Sequence, residues 1–149
     1  MDARYINLFL EAFTKTLEQL GISDIKRSGM KKKSKLYVDP GVSAIVCIKG
    51  GIQGNIALSM SQDTAKNLAS TMMMGMNVTV IDEIAKSAIG ELAGMIAGAV
   101  STMMVSLGVS LQISPPTVIF EYADINLSET LAIDYETRVG KIEFNIGFI

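Results

Sequence analysis

Residues 82–109 read DEIAKSAIGELAGMIAGAVSTMMVSLGV, and the rest of the chain is expected to be organised around this stretch. It is long enough for a helix of about seven turns at 3.6 residues per turn. We expect Thr79 to cap the start of this helix, with Asp82 three positions later completing a capping box.

The two sides of this predicted helix differ in the size of their side chains. At 100° per residue, one side collects the apolar residues Ile81, Ala88, Leu92, Ile96, Ala99, Met103 and Leu107. The opposite side carries short or charged residues, namely Glu83, Ser87, Gly90, Glu91, Gly94, Gly98 and Ser101. Glu91 is the long side chain nearest the middle of that second side.

The glycines Gly90, Gly94 and Gly98 oppose helix formation, because glycine within a helix costs about 1 kcal/mol relative to alanine. One explanation is that another element of the same protein packs closely against them. The other is a shallow groove, floored by backbone and flanked by Glu91, that admits another molecule. Periodicity alone does not choose between the two explanations.

Composition and length indicate one globular domain spanning residues 1–149. Hydrophobic residues make up 49% of the chain and charged residues 19%, which is typical of a folded core and not of disorder. The net charge of −2 indicates no general attraction to nucleic acid. Cys47 is the one cysteine, so an intrachain disulfide is impossible. The start, MDARYINLF, lacks the pattern of a signal peptide, and the cytoplasm is the expected location.

Two other stretches allow more than one interpretation. The basic run Lys31, Lys32, Lys33 and Lys35 predicts a solvated loop or edge strand, with a phosphate-binding patch as the alternative. The cluster Met72, Met73, Met74 and Met76 suits either a promiscuous binding surface or core filling, and we expect core filling.

Residues 92–120 carry no charge, which is compatible with a membrane-spanning segment. Polar residues interrupt this segment, Pro115 and Pro116 end it, and no Lys/Arg cluster flanks it. We therefore expect no contact with a membrane.

The coarse pattern predicts an α+β fold with an antiparallel or mixed single-layer sheet and helices packed on one face. An amphipathic helix is expected at residues 2–20, and a short helix is expected between Ser61 or Asp63 and Gly75. Strands are expected near residues 35–38, 44–49, 55–61, 112–122, 130–138 and 141–148.

Several kinds of chemistry are excluded by residue content. The chain has no histidine, so a Ser-His-Asp triad, a Cys-His pair and histidine metal ligands are all impossible. It also lacks a GxxxxGK[ST] phosphate loop and a calcium-loop pattern. Any catalysis must use carboxylate, amide or backbone groups on a substrate that brings its own reactive parts.

Five stretches resemble the CheC/CheX/FliY phosphatases of bacterial chemotaxis, and CheX in particular. They are MDARYIN, GGIQGNIALSMS, MMMGM, DEIAKSAIGELAGMIAG and ISPPTVI. The resemblance implies a CheC/CheX-like fold, a homodimer, and the CheY-type receiver domain of a response regulator as partner. It implies no cofactor and no metal of the protein's own, because the receiver carries the aspartyl phosphate and Mg²⁺.

The family signature is Asp or Ser, a Glu four residues on, an Asn three further, and a proline some twenty-two later. Ser87, Glu91 and Pro116 match it. The resemblance implies that the glutamate grips a receiver lysine, while the asparagine amide orients the attacking water. The partner-binding residues would then be Ser87, Gly90, Glu91, Gly94, Gly98 and Pro116.

The chain departs from this signature at the asparagine position, which is Gly94. Loss of one oriented hydrogen-bonding group typically lowers a rate by about 10²-fold or more, so we expect phosphatase activity to be weak or absent. Glu91 would still anchor a receiver.

The sequence leaves three alternatives open. In one, the enzyme is active because Gln53 or Asn55 supplies the missing carboxamide. In another, the glycines form a helix-packing surface and the protein is a non-catalytic adaptor or assembly component of the chemotaxis or flagellar switch apparatus. In the third, Glu91 is an ordinary solvated helix residue.

Overall fold

The structure, a computed structural model, describes residues 2–149. These residues form three α-helices, one 3-10 turn and nine β-strands. The helices are α1 (Ala3–Gln19), α2 (Gln62–Met72) and α3 (Glu83–Met104), and the turn is Val105–Leu107. The strands are β1 (Lys26–Lys33), β2 (Leu36–Val38), β3 (Val42–Gly50), β4 (Gly54–Met60), β5 (Leu111–Ile113), β6 (Thr117–Ile119), β7 (Ala123–Asn126), β8 (Thr130–Thr137) and β9 (Gly140–Phe148).

Seven of the strands within residues 2–149 form one antiparallel sheet in the order β1-β8-β9-β4-β3-β5, with β6 also paired to β3. Strands β2 and β7 form a separate antiparallel pair. Side chains alternate between the two faces of a strand, so one face of the large sheet supplies apolar residues to the core beneath the helices. The predicted α+β class with helices on one face is therefore confirmed.

The small sheet is the part of the architecture that the single-layer prediction missed. It covers the face of the large sheet opposite the helices, where Leu36 and Val38 pack against Ala57. The helical face has a larger core that includes aromatic stacking. The ring of Phe13 in α1 lies 5.0 Å from that of Phe144, measured between centroids.

Helix α3 begins at a different residue from the one expected. Asp82 is the N-cap, and its carboxylate accepts a hydrogen bond from the Ala85 amide at 2.9 Å. The prediction that Thr79 caps this helix is wrong, because the extended backbone of Asp82 lets its own side chain satisfy the first turn.

The buried side of α3 is also rotated from the predicted one. Leu92 and Ile96 are fully buried as expected, but Leu107 is exposed in the 3-10 turn after the helix. Ala93 and Ala97, which the prediction placed on neither side of the helix, are fully buried. Alanines face the core because they let α3 approach the neighbouring helices and β3 closely.

The segment from Glu83 to Leu107 is long and apolar enough to cross a membrane by length and composition alone. Half of its most apolar window is buried, and α3 packs against α1, α2 and β3. In this structure its apolar side is part of the protein core.

The strand predicted at residues 112–122 is divided in two. Pro115 and Pro116 lie between β5 and β6, which pair separately with β3. Proline has no amide hydrogen to donate to a ladder, so the pair interrupts the strand. Ser114 bridges the gap, because its Oγ accepts a hydrogen bond from the Cys47 amide at 2.9 Å.

The lysine-rich segment forms β1, an edge strand as one of the two interpretations predicted. Exposed Lys31 and Lys32 form long ion pairs, with Glu143 at 3.7 Å and Glu129 at 3.9 Å.

Lys33 lies in the interior, which the sequence pattern did not indicate. Its side chain is only 3% exposed, and its Nζ donates to Glu143 Oε1 at 2.9 Å and Asn145 Oδ1 at 2.7 Å. It also donates to the Tyr37 carbonyl at 3.2 Å. Burial alone would raise the pKa of the Glu143 carboxyl, but hydrogen bonds from Lys33 and Asn145 lower it overall.

Candidate functional site

The outer face of α3 brings several residues of the signature together. Ser87 and Glu91 are one turn apart and exposed, and Gly94 and Gly98 follow on the same side of the helix. Among residues 2–149, the Glu91 carboxylate makes no ion pair or side-chain hydrogen bond. A carboxylate in this state is free to pair with a cation of another molecule.

The three helical glycines have two different environments. A Cβ added at Gly94 or Gly98 would meet no atom within 4 Å, whereas one at Gly90 would lie 3.3 Å from Pro116 Cγ and 3.4 Å from Val118 Cγ2. Close packing therefore explains Gly90, which is buried and does not belong to the open face. The surface at Gly94 and Gly98 is open, so a packing role inside the fold does not explain these two glycines.

A cleft of about 480 Å³ runs along one side of this face, between α3 and the ends of α1 and α2. We call it the methionine cleft. Its lining residues are Leu20, Met72, Met73, Glu83, Ile84, Ser87, Ala88, Glu91 and Met95. The cleft is thus apolar on its walls and carries two carboxylates, with no basic side chain among its described lining residues.

A second cleft, of about 250 Å³, lies on the other side of Ser87. It is lined by Glu83, Lys86, Ser87, Gly90, Pro116 and Val118. Pro116 is exposed here, while Lys86 Nζ lies 5.7 Å from the centroid of the Phe120 ring. The signature residues Ser87 and Pro116 therefore meet at this cleft, and Glu91 lies at the other.

The structure does not bring either proposed substitute carboxamide to Gly94. Asn55 lies on the opposite face of the sheet, where its Oδ1 accepts a hydrogen bond from Asn126 Nδ2 at 2.9 Å. Gln53 lies in the turn after β3, and the neighbouring Gly51 packs against Val109, beyond the carboxyl end of α3. Gly94 is separated from that end of α3 by about 15 Å of helix. In the described part of the chain, neither cleft is lined by Asn or Gln.

The methionine cluster was expected to fill the core, and this is only partly correct. Met72 and Met73 are half-buried walls of the methionine cleft, whereas Met74 and Met76 are exposed. The prediction fails for the last two because α2 ends before them and they project from the following loop. The signal that could have identified this surface is the run MMMGM itself, in which Gly75 ends the helix.

No group of three or more His, Cys, Asp or Glu side chains suited to a metal ion occurs within residues 2–149. The chemistry that these described residues offer is a free carboxylate on an open helix face, bordered by an apolar cleft.

Comparisons with known proteins place this geometry in a family context. Residues 42–132 match the family model described as "Chemotaxis phosphatase CheX". A Thermotoga maritima protein described as "CheY-P phosphatase CheX" is 34% identical over 119 residues, which cover 80% of this chain and 77% of that protein.

Two solved structures are similar along almost the whole chain. A crystal structure of a chemotaxis protein CheX from Desulfovibrio desulfuricans matches with a TM-score of 0.85 at 24% identity, covering 98% of this chain and 99% of that one, and shows likeness of fold. A chain from the crystal structure of the CheX-CheY-BeF3-Mg+2 complex of Borrelia burgdorferi matches with a TM-score of 0.79 at 28% identity, covering 97% of both chains.

Proposed function

The chain belongs to the chemotaxis phosphatase CheX family, and on that premise we propose that it binds the phosphorylated receiver domain of a CheY-type response regulator. The observation that carries the proposal is the unpaired Glu91 carboxylate on the open face of α3. A relative of this chain is described as a CheY-P phosphatase, and another was crystallised with CheY, BeF3 and Mg²⁺.

In this proposal each partner contributes a different part of the site. The receiver supplies the aspartyl phosphate and its own Mg²⁺, so this chain needs no cofactor. Glu91 pairs with a receiver lysine and sets the orientation of the two proteins. Ser87 and Pro116 border the contact. Gly98 has no side chain, so the partner can approach the backbone of α3 closely.

Hydrolysis is proposed to be slow or absent, because nothing at position 94 can orient the attacking water. The open space at Gly94 and the lack of Asn or Gln among the described lining residues favour this proposal. The same observations favour the second candidate function, that of a non-catalytic adaptor in the chemotaxis or flagellar switch apparatus.

The Glu91→Ala variant tests the binding proposal. We expect it to weaken binding of a receiver domain activated with BeF3⁻ and Mg²⁺ by about ten- to a hundredfold, since a hydrogen bond to a charged group contributes about 1.5–3 kcal/mol. Isothermal titration calorimetry measures the change. Glu129→Ala is the control, because Glu129 is an exposed carboxylate that shares a pocket with Ala3 at the start of α1, whereas the cleft at Glu91 includes Leu20 at the other end of that helix.

Wild-type affinity in Glu91→Ala would contradict the role of this residue. If wild-type protein binds no receiver domain of the same organism, the proposed function fails.

We further propose that the protein is a cytoplasmic homodimer assembled through a sheet edge. The edge strands β1 and β5 carry backbone groups that pairing with a second copy would satisfy. Sedimentation velocity at micromolar concentration should give twice the chain mass of 16.0 kDa. A monomer mass would contradict the proposal.

A further inference from the structure

Four large apolar side chains are exposed beside the methionine cleft. They are Met74, Met76 and Val80 in the loop between α2 and α3, and Ile84 in the first turn of α3. Their exposed fractions lie between 61% and 96%. We call these four residues the loop patch. Isolated exposed apolar residues are ordinary, but four of them within eleven positions concentrate exposed apolar side chains in one loop and the helix turn that follows it.

The exposure of Met74 makes a structural role for its side chain hard to explain. Met74 is the most exposed of the four, and its φ of +58° ends α2 in a Schellman motif, in which the Gly75 amide donates to the Ser70 carbonyl at 2.8 Å and the Met74 amide donates to the Thr71 carbonyl at 3.3 Å. The backbone of Met74 therefore serves the end of α2, whereas its almost fully exposed side chain contributes little to the stability of the fold. Methionine is common at binding surfaces because its flexible, polarizable side chain adapts to a partner.

The loop patch is continuous with the face that carries Glu91. Ile84 belongs to the patch and also lines the methionine cleft, and Met72 and Met73 connect the cleft wall to Met74 along the chain. A partner seated on Glu91 and the cleft would therefore contact Ile84 and lie near the loop that carries the other three residues.

The α3 face itself supplies little contact area. Ser87, Gly94 and Gly98 present backbone and short side chains, whereas a stable complex buries about 800 Å² on each partner. The additional apolar contact must come from residues beside this face. The loop patch is the exposed apolar group adjoining the amino half of α3, where Glu91 lies.

We propose that the loop patch is a second docking element for the phosphorylated receiver domain, and that it contacts an apolar surface beside the receiver's phosphorylation site. This inference rests on the proposed function. Glu91 determines the orientation of the complex, and the patch supplies affinity that does not depend on hydrolysis. A protein that lacks the water-positioning amide would then retain its partner without releasing phosphate quickly.

The double variant Met74→Ser/Ile84→Ser tests this proposal with the full chain. We expect its Kd for a receiver domain activated with BeF3⁻ and Mg²⁺ to rise about tenfold or more, because apolar contact at two positions is lost. The melting temperature should stay close to that of the wild type, since both side chains are mostly exposed.

Leu127→Ser provides the matched control. Leu127 is 84% exposed and follows β7. The nearby Glu129 lines a pocket with Ala3 and Ile6 at the start of α1, whereas the methionine cleft includes Leu20 at the other end of that helix. An apolar-to-serine change at this distance from the cleft should leave Kd unchanged.

Three results would overturn the inference, and each has a different meaning. If the double variant keeps its affinity while Glu91→Ala loses affinity, the loop patch is not a docking element and the proposed function still holds. A change in sedimentation mass with unchanged receiver affinity would assign the patch to contact with a second copy of the chain. Absence of receiver binding by the wild-type protein would remove both proposals.

Discussion

Replacing Gly94 by asparagine is expected to raise the rate of phosphate loss from a phosphorylated receiver domain by about 10²-fold or more over wild type. The new carboxamide would lie one turn from Glu91 on the same face of α3, where it can orient a water toward the aspartyl phosphate. The substitution fits, because a Cβ at this position would meet no atom within 4 Å. Release of inorganic phosphate from the phosphorylated receiver measures the rate.

Two variants separate this chemical effect from a general effect on the helix. Gly94→Ala fills the same open position without a carboxamide and should stabilise α3 by up to about 1 kcal/mol. It should leave the hydrolysis rate unchanged. Adding Glu91→Ala to Gly94→Asn should abolish the gain, because the receiver would lose its anchor.

A fast wild-type rate would contradict the interpretation of Gly94 and would require another residue to position the water. If Gly94→Asn binds the receiver as tightly as wild type but gains no activity, the binding proposal survives and the catalytic role of this position is wrong.

Replacing Lys33 by alanine is expected to lower the free energy of unfolding by about 3 kcal/mol, because the buried Asn145 carbonyl loses its donor and Glu143 keeps only the longer ion pair with Lys31. Lys33 connects three parts of the fold, namely the edge strand β1, the Tyr37 carbonyl of β2, and the Glu143 and Asn145 side chains of β9. Urea denaturation followed by circular dichroism gives the free energy.

The neighbouring Lys32 provides a matched control in the same strand. Its side chain is 79% exposed, and its ion pair with Glu129 is 3.9 Å long, so Lys32→Ala should change the unfolding free energy very little. Lys33→Met keeps most of the aliphatic stem. If the buried ion pair is responsible, this variant should show most of the decrease in unfolding free energy that Lys33→Ala shows. Equal, small losses in Lys33→Ala and Lys32→Ala would show that the network does not stabilise the fold.

The general architecture could be predicted because it depends on local periodicity. The apolar residues of α1 recur every three or four positions, and those of β9 alternate, so each pattern identifies its element without knowledge of its neighbours. The sequence also indicated that Pro115 and Pro116 interrupt the strand predicted at residues 112–122. The pairing of β1 with β8 could not be predicted from the sequence, because a strand rich in lysine shows little alternation of apolar and polar residues.

The candidate site was predicted in part for the same reason. Ser87, Glu91 and Gly94 are neighbours on a helix surface whenever that helix forms, and the structure retains this arrangement. The methionine cleft could not be predicted, because its walls come from the ends of three helices that are separate in the sequence.

The amino-acid sequence by itself determined the helices and most of the strands, the α+β class and the alignment of Glu91 with Gly94, since these depend on residues a few positions apart. Tertiary structure alone decided the environments of Gly90, Gly94 and Gly98. Pro116 and Val118 return from β6 and its preceding turn to cover the first glycine, and nothing covers the other two. Two adjacent lysines also differ in their environments. Lys33 faces the small sheet and Glu143, whereas Lys32 faces solvent. Residues of the same type differ in burial here, because contacts between segments distant in the sequence determine which of them lose access to water.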